Sequence, residues 1–117
     1  MTQTPDIMDV LQSAYQQHQQ GQLDRAEAGY REVLKREPGN IHGLNLMGML
    51  MVDLGRPLDA VELIRLALKQ DPNDPQANGN IGLALKDLGR FEEAAGHFRH
   101  SLRIRPDNPV MLNNLGN

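Results

Sequence analysis

A period of 34 residues runs through this chain. Five kinds of position return at that interval in one common register. They are Pro38, Pro72 and Pro106; Gly21, Gly55 and Gly89; Ala26, Ala60 and Ala94; Leu34, Leu68 and Leu102; and Gly48, Gly82 and Gly116. A period of this length is typical of stacked helix-turn-helix units, each of which buries its apolar face against the next. The pattern therefore predicts an all-α solenoid that serves as an interaction scaffold rather than as a catalyst.

Each unit is predicted to contain two amphipathic helices joined by a tight turn. In the second unit Leu44, Met47 and Met51 recur at helical spacing and mark the apolar face of the first helix. Gly55 can take the left-handed conformation that ends a helix, and Pro57 suits the first turn of the next one. The third unit repeats these signals. The first unit is looser, as is expected of a terminal repeat, which has a neighbour on one side only.

The same signals predict about seven helices, each boundary to within about two to four residues. They are 6–19, 23–36, 41–53, 57–70, 75–87, 91–104 and 109–116. Taken in pairs, they give repeat one at 7–40, repeat two at 41–74, repeat three at 75–108 and a partial fourth repeat at 109–117. We therefore expect a single array without a linker or a second domain.

These residues resemble the tetratricopeptide repeat. The resemblance rests on two segments, Leu44…Met47-Gly48…Met51…Gly55…Ala60…Ile64…Ala67…Pro72 and Ile81-Gly82…Leu85…Gly89…Phe91…Ala94…Phe98…Pro106. It implies a right-handed superhelix in which small residues let paired helices approach closely. It also implies a concave face that is lined by the first helix of each pair and binds extended peptides. The function that it implies is that of a non-enzymatic protein–protein interaction scaffold with a protein or peptide ligand.

One column of the expected concave face carries amides. Its positions, two residues before the small residue of each first helix, hold Gln12, Leu46, Asn80 and Asn114. An inward Asn offers one acceptor and two donors, which can pair with a peptide backbone without selecting its side chains. Asn80 and the segment 113–117 resemble the asparagine ladder of repeat arrays attached to O-linked N-acetylglucosamine transferases. The alternative is that these amides simply face water.

The N-terminal end of the same face is apolar. The residues at its inner offsets are Met8, Leu11, Tyr15, Leu46, Met49 and Leu83. A contiguous apolar patch usually marks an interaction surface, and Met suits one that accepts varied shapes. The alternative is that Met8, Leu11 and Tyr15 cap the first helix pair internally. The full set of predicted peptide-binding residues is Met8, Leu11, Gln12, Tyr15, His42, Asn45, Leu46, Met49, Gln76, Asn80, Leu83 and Asn114.

Composition argues against several other classes of partner. The formal charge is −3, so a nucleic-acid ligand, which depends on clustered basic residues, is not expected. The chain has no cysteine, which excludes disulfides and thiolate metal sites. The sequence shows neither a signal peptide nor an apolar run of about 18 residues. No membrane partner is therefore predicted, and a cytoplasmic protein is the default expectation.

A metal or catalytic site is not favoured. His97 and His100 are three residues apart with Glu93 one turn earlier, so the three could share a helix face, but no fourth ligand accompanies them. No nucleophile–base set, pair of buried carboxylates or phosphate-binding glycine loop is recognisable. We therefore predict no metal, no cofactor and no catalytic residue.

A carboxylate clamp is not expected either. Co-chaperone members of the tetratricopeptide family hold the C-terminal carboxylate of a chaperone tail with Lys, Arg and Asn on their first helices. The comparable positions of this chain hold Leu11, Gln76 and Asn80, so the basic residues of that clamp are absent.

Two alternative functions stay open at the level of sequence. The first is a self-assembling oligomerisation module, because Leu112 and Leu115 on the last predicted helix would need a cover that a second copy of the chain can supply. The second is the N-terminal, substrate-recruiting part of a larger glycosyltransferase-like enzyme, because the segment 113–117 resembles an array that continues.

Overall fold

The computed structural model describes residues 5–107, which form six α-helices. They are α1 (Ile7–Gln19), α2 (Leu23–Arg36), α3 (Ile41–Asp53), α4 (Pro57–Gln70), α5 (Pro75–Asp87) and α6 (Phe91–Ile104). This part of the chain contains no strand, and none of its helices is long and apolar enough to cross a bilayer. The first six predicted helices are confirmed to within one residue at each end. The seventh, predicted at 109–116, lies outside the described residues.

A left-handed glycine ends the first helix of each pair. After α3, Gly55 has a φ of 74°, and the amide of Arg56 donates to the carbonyl of Met51 at 2.7 Å. This hydrogen bond belongs to the Schellman arrangement, which satisfies carbonyls that a helix end leaves free. Gly21 and Gly89 occupy the equivalent turns, with φ of 80° and 76°. The turn glycines therefore fold the second helix of each pair back onto the first.

In the second and third pairs, a small residue of the first helix meets a large residue of the second. Gly48 faces Ile64 and Gly82 faces Phe98, and in both cases the large side chain occupies the space that a Cβ on the glycine would need. Ile64 and Phe98 are buried. The columns of small residues at the 34-residue period are thus the lines along which paired helices touch.

Polar side chains connect one repeat to the next. Asp74 caps α5 by accepting a hydrogen bond from the amide of Ala77 at 2.8 Å, and Nδ2 of Asn45 on α3 donates to the same carboxylate at 3.0 Å. One carboxylate therefore satisfies a helix terminus and holds α3 against α5. At the end of α4, Gln70 donates to the carbonyl of Gly39, which lies in the connection between α2 and α3.

The array curves towards its first helices. α1 packs against α3 and α3 against α5, whereas α2, α4 and α6 make no comparable contact with one another among the described helices. The first helices therefore lie closer together along the array, which makes their side the inner, concave one. The second helices diverge on the outer side, and clefts open between them.

Candidate functional site

Three columns of side chains on α1, α3 and α5 form the concave surface, which we call the inner groove. Along each helix the columns follow one another after four and then three residues, so they lie on one face. Their members are Met8, His42 and Gln76; Gln12, Leu46 and Asn80; and Tyr15, Met49 and Leu83. Each of these residues is at least partly accessible. The helices therefore bring these predicted binding residues onto a single accessible face.

The apolar end of the inner groove lies on α1 and α3. Met8 is 57% exposed and Tyr15 is 43% exposed, although both carry a large apolar surface. Leu46 and Met49 on α3 are half-buried, and Leu46 rests against the core. The exposure of Met8 and Tyr15 favours a role at the surface over an internal cap of the first helix pair.

Two predicted residues do not reach the inner groove. Leu11 is 5% exposed and Asn45 is fully buried, so their placement on the concave face is corrected. They precede Gln12 and Leu46 by one residue, and one residue turns a side chain by about 100° around a helix. Leu11 packs in the apolar core, which is the internal role considered for it, and Asn45 donates to Asp74.

Asn80 stands at the amide end of the inner groove. Its side chain is half-buried, and the amide nitrogen is buried without a hydrogen-bond partner among the described residues. A buried donor without a partner costs about 1–3 kcal/mol, and the terminal torsion of Asn turns easily. The amide can therefore rotate and offer its donor to a group in the groove. Asn114 lies outside the described residues, as do Leu112 and Leu115, so self-association through those two leucines stays a prediction.

The repeat pattern and the geometry of the helix pairs agree with a sequence comparison. Residues 45–109 match the family model for the tetratricopeptide repeat. The chain belongs to the tetratricopeptide repeat family. No curated protein sequence matches it. A tetratricopeptide array is a protein-interaction fold and not a catalytic one, in agreement with the scaffold predicted from the period.

Solved structures that contain tetratricopeptide arrays match the chain closely. An O-GlcNAc transferase mutant from Thermobaculum terrenum is 28% identical, with a TM-score of 0.91 over 97% of this chain and 22% of that one. The first tetratricopeptide domain of Spaghetti (RPAP3), bound to the HSP90 peptide SRMEEVD, is 21% identical, with a TM-score of 0.88 over 94% and 87% of the two chains. The second domain of human RPAP3, in complex with the HSP70 peptide SGPTIEEVD, is 19% identical, with a TM-score of 0.84 over 94% and 92%. The RPAP3 domains show the shared fold, and the chain spans about a fifth of the transferase.

His97 and His100, the two histidines that were considered as metal ligands, are hydrogen-bonded to asparagine side chains. Nδ1 of His97 lies 3.0 Å from Oδ1 of Asn78, and Nε2 of His100 lies 3.0 Å from Oδ1 of Asn73. Burial lowers the pKa of His97, which favours its neutral ring. Within residues 5–107, no group of three His, Asp or Glu side chains is placed to hold a metal ion.

A cleft that the sequence pattern did not predict lies on the outer side of the tetratricopeptide array. This α4–α6 cleft has a volume of about 470 Å³. The basic side chains that line it are Arg65, His97, His100 and Arg103. A comparison of successive repeats could have found it. His97 and His100 stand one period after Leu63 and Leu66, so two imidazoles replace two leucines at equivalent places.

Proposed function

We propose that this chain is a protein-interaction scaffold that binds an extended peptide or a helix in its inner groove. The observation that carries the proposal is the exposed apolar surface of Met8 and Tyr15 on α1, continued by Leu46 and Met49 on α3. Removing such surface from water is favourable by about 25 cal/mol per Å², before the entropic costs of association are subtracted. Met also adapts to partners of varied shape, which suits the apolar end of the groove to side chains of a ligand.

The other end of the inner groove offers amides. Gln76 and Asn80 on α5 supply acceptors and donors that can pair with the backbone of a peptide. A peptide carbonyl would give the amide nitrogen of Asn80 the hydrogen bond that it lacks among the described residues. A ligand with apolar side chains at one end and a free backbone at the other therefore suits both ends of the groove.

Peptide binding by domains of the same fold supports the proposal. The two RPAP3 domains are bound to peptides of HSP90 and HSP70, and both peptides end in Glu-Glu-Val-Asp. This chain has Gln76 and Asn80 in its inner groove at positions where co-chaperone members carry clamp residues, and Leu11 is buried. We therefore propose a ligand that is bound through apolar side chains and backbone, not through an acidic C-terminus.

Peptide selection followed by substitution in the groove tests this proposal. A displayed library of linear peptides is selected on the full 117-residue chain, and the affinity of the enriched peptides is measured by fluorescence anisotropy. The double substitution Leu46→Ser and Met49→Ser is expected to weaken binding by at least about tenfold, which corresponds to 1.4 kcal/mol. Unchanged affinity, or a selection that enriches no peptide, contradicts the proposal.

The matched control lies on the outer side of the same repeat. Leu58 and Leu66 of α4 are 64% and 46% exposed, so they are apolar side chains of similar size that do not face the inner groove. The double substitution Leu58→Ser and Leu66→Ser is expected to leave peptide affinity unchanged. Helicity and thermal unfolding, followed by circular dichroism for both variants, separate a loss of binding from a loss of fold.

A second candidate function is favoured by the likeness to the O-GlcNAc transferase of Thermobaculum terrenum. In that case the array would recruit protein substrates for a glycosyltransferase domain of the same polypeptide. The coding sequence beyond Asn117 tests this candidate directly. A glycosyltransferase domain encoded there supports it, and a stop codon eliminates it.

A further inference from the structure

The clefts between second helices repeat with the period of the sequence. The α2–α4 cleft has a volume of about 290 Å³ and the α4–α6 cleft about 470 Å³. Arg31 and Met51 line the first cleft, and Arg65 and Leu85 occupy the equivalent places in the second. The two clefts are therefore equivalent surfaces of successive repeats. Any difference between them in charge or in hydrogen bonding comes from the positions at which their residues differ.

The two equivalent arginines differ in their partners. Nη2 of Arg31 lies 2.6 Å from Oε2 of Glu27, so the guanidinium in the α2–α4 cleft is neutralised within its own helix. Position 61, one period after Glu27, is Val61, which is buried. Among residues 5–107, Arg65 has no carboxylate within salt-bridge distance. The α4–α6 cleft thus keeps a free positive charge where its counterpart does not.

A second difference between the two repeats removes a negative charge from the α4–α6 cleft. Glu62 lines the α2–α4 cleft, and the equivalent place in the α4–α6 cleft is Gly96. A Cβ on Gly96 would have no atom within 4 Å, so the glycine leaves open space at the surface of α6. Among the described residues, Glu93 is the one carboxylate that lines this cleft, and its Oε2 lies 2.5 Å from Nε of Arg90, which partly offsets its charge.

The hydrogen bonds of Asn78 determine which nitrogen His97 presents to the cleft. Nδ2 of Asn78 donates to the carbonyls of Pro72 and Asp74, both at 3.0 Å, so its oxygen must accept from His97. The proton of the neutral imidazole therefore sits on Nδ1. Nε2 of His97 has no hydrogen-bond partner in the described part of the chain and becomes a donor when the ring takes up a proton.

His100 holds the last cationic side chain of the cleft in place. Its Nε2 donates to Oδ1 of Asn73 at 3.0 Å, and its Nδ1 accepts from Nη2 of Arg103 at 3.1 Å. Both ring nitrogens are thus engaged, and Arg103 is fixed on the α6 wall with further N–H groups to donate. Leu68 and Leu85 also line the cleft, and the half-buried Leu68 contributes apolar surface to it.

We infer that the α4–α6 cleft binds a phosphoryl group, held between Arg65 on α4 and His97 and Arg103 on α6. A carboxylate is satisfied by one guanidinium fork, whereas the three oxygens of a phosphoryl group accept from several donors on two walls. The cleft has more than enough volume for this group, and its charge complements a dianion. The site lies on the outer side of the array and is separate from the inner groove of the proposed function.

Binding of a phosphoryl group in this cleft is expected to be accompanied by proton uptake at His97. Its pKa is lowered by burial and by the charges of His100 and Arg65, while Glu93 raises it. Arg65 from α4 and Glu93 and His100 from α6 act on the ring through their charges, and Asn78 from α5 bonds to it. Arg103 from α6 lines the same cleft. A bound dianion favours the protonated ring, so it is expected to raise the pKa of His97.

The test is a titration of the full chain followed by nuclear magnetic resonance of the imidazole nitrogens. The probes are inorganic phosphate and O-phosphoserine, each added at constant ionic strength. Both are expected to shift the signals of His97 and His100 to saturation and to raise the pKa of His97, while His18 and His42 do not respond. If O-phosphoserine binds about tenfold more tightly than phosphate, the natural source is a phosphorylated side chain, and equal affinity indicates a free phosphate ion. Absence of saturation, or equal shifts at all four histidines, overturns the inference.

Two substitutions and one matched control complete the test. Gly96→Glu places in this cleft the carboxylate that Glu62 supplies to its counterpart, in open space and in a better helix former. It is expected to weaken phosphate binding by at least about tenfold, as is Arg65→Gln. Arg31→Gln removes the equivalent arginine of the α2–α4 cleft and is expected to bind phosphate as the natural chain does. Binding by Gly96→Glu and Arg65→Gln at the natural affinity, or an equal loss in Arg31→Gln, overturns the inference.

Discussion

A methyl group added to Gly48 would lie 2.7 Å from Cγ1 of Ile64, closer than side-chain atoms pack in protein interiors. Ile64 is fully buried between α3 and α4, so it has little room to move away. Gly48→Ala is therefore expected to lower the free energy of unfolding by about 1–3 kcal/mol through overpacking. Urea unfolding followed by circular dichroism measures this change.

A glycine in open space provides the control for this prediction. Gly96 lies in the interior of α6, and a Cβ there would meet no atom within 4 Å. Gly96→Ala is expected to raise the free energy of unfolding by about 0.5–1 kcal/mol, because alanine loses less conformational freedom in a helix. Changes of the same sign in Gly48→Ala and Gly96→Ala would contradict the packing argument.

The fold could be predicted from the sequence because each repeating column corresponds to a physical contact. The column of Gly48 and Gly82 marks the close approach of paired helices, and the column of Gly21, Gly55 and Gly89 marks the left-handed turns. Turn chemistry and helical spacing are local, so they fix helix boundaries without knowledge of tertiary structure. This is why the boundaries predicted for α2 to α6 agree with those of the structure.

The candidate sites were harder to predict because their partners come from other helices. Asn45 and Leu46 are neighbours in sequence, yet Asn45 turns towards Asp74 of the next repeat and Leu46 towards the inner groove. The spacing of His97 and His100 showed that they share a helix face, but it could not show that each ring bonds to an asparagine outside α6. Helical periodicity predicts on which face of its helix a side chain lies, but it does not predict which residues of other helices lie opposite that face.

The turn at Gly55 provides a test of backbone conformation without steric contact. Its φ is 74°, and a Cβ there would meet no atom within 4 Å. Gly55→Ala is therefore expected to lower the free energy of unfolding by about 1–2 kcal/mol, the cost of a left-handed conformation for a residue with a Cβ. Asn tolerates this conformation better than Ala, so Gly55→Asn is expected to cost less. Equal losses in both variants, measured by urea unfolding, would show that the backbone is not the cause.

The Asp74 carboxylate is expected to stabilise the array more than an ordinary helix cap. It accepts from the amide of Ala77 and also from Asn45, whereas Asn40 caps α3 through the amide of Gly43 alone, at 2.8 Å. Asn40→Ala should cost about 1 kcal/mol, the usual contribution of an N-cap. Asp74→Ala should cost more, because it also leaves the buried amide of Asn45 without its partner.

A double-mutant cycle isolates the contact between repeats. The free energies of unfolding of Asp74→Ala, Asn45→Ala and the double variant are compared with that of the natural chain. Residues in one hydrogen-bonded network usually couple by about 0.5–3 kcal/mol. A coupling energy within error of zero would mean that Asp74 acts only as the cap of α5.

Tyr30 makes the stability of the first helix pair sensitive to high pH. Its side chain is fully buried, its hydroxyl donates to Nδ1 of His18 at 3.1 Å, and Nε2 of His18 lies 2.5 Å from Oδ2 of Asp53. Burial, with smaller contributions from Tyr15 and Asp53, raises the pKa of Tyr30 from 10.0 to about 12. Below pH 10 the phenol is protonated in both the folded and the unfolded chain. Between pH 10 and pH 12 the unfolded chain loses that proton first, so the free energy of unfolding falls as the pH rises.

Tyr30→Phe separates this effect from the other groups that titrate at high pH. The difference in free energy of unfolding between the natural chain and Tyr30→Phe is measured in urea at pH 9 and at pH 11. Between pH 9 and pH 11 the natural chain is expected to lose about 1 kcal/mol of unfolding free energy relative to Tyr30→Phe, since one pKa unit corresponds to about 1.4 kcal/mol. The ultraviolet absorbance of the phenolate gives an independent readout, because Tyr30 should ionise near pH 12 in the folded chain. A difference that is the same at both pH values would mean that Tyr30 ionises as readily in the folded chain as in water.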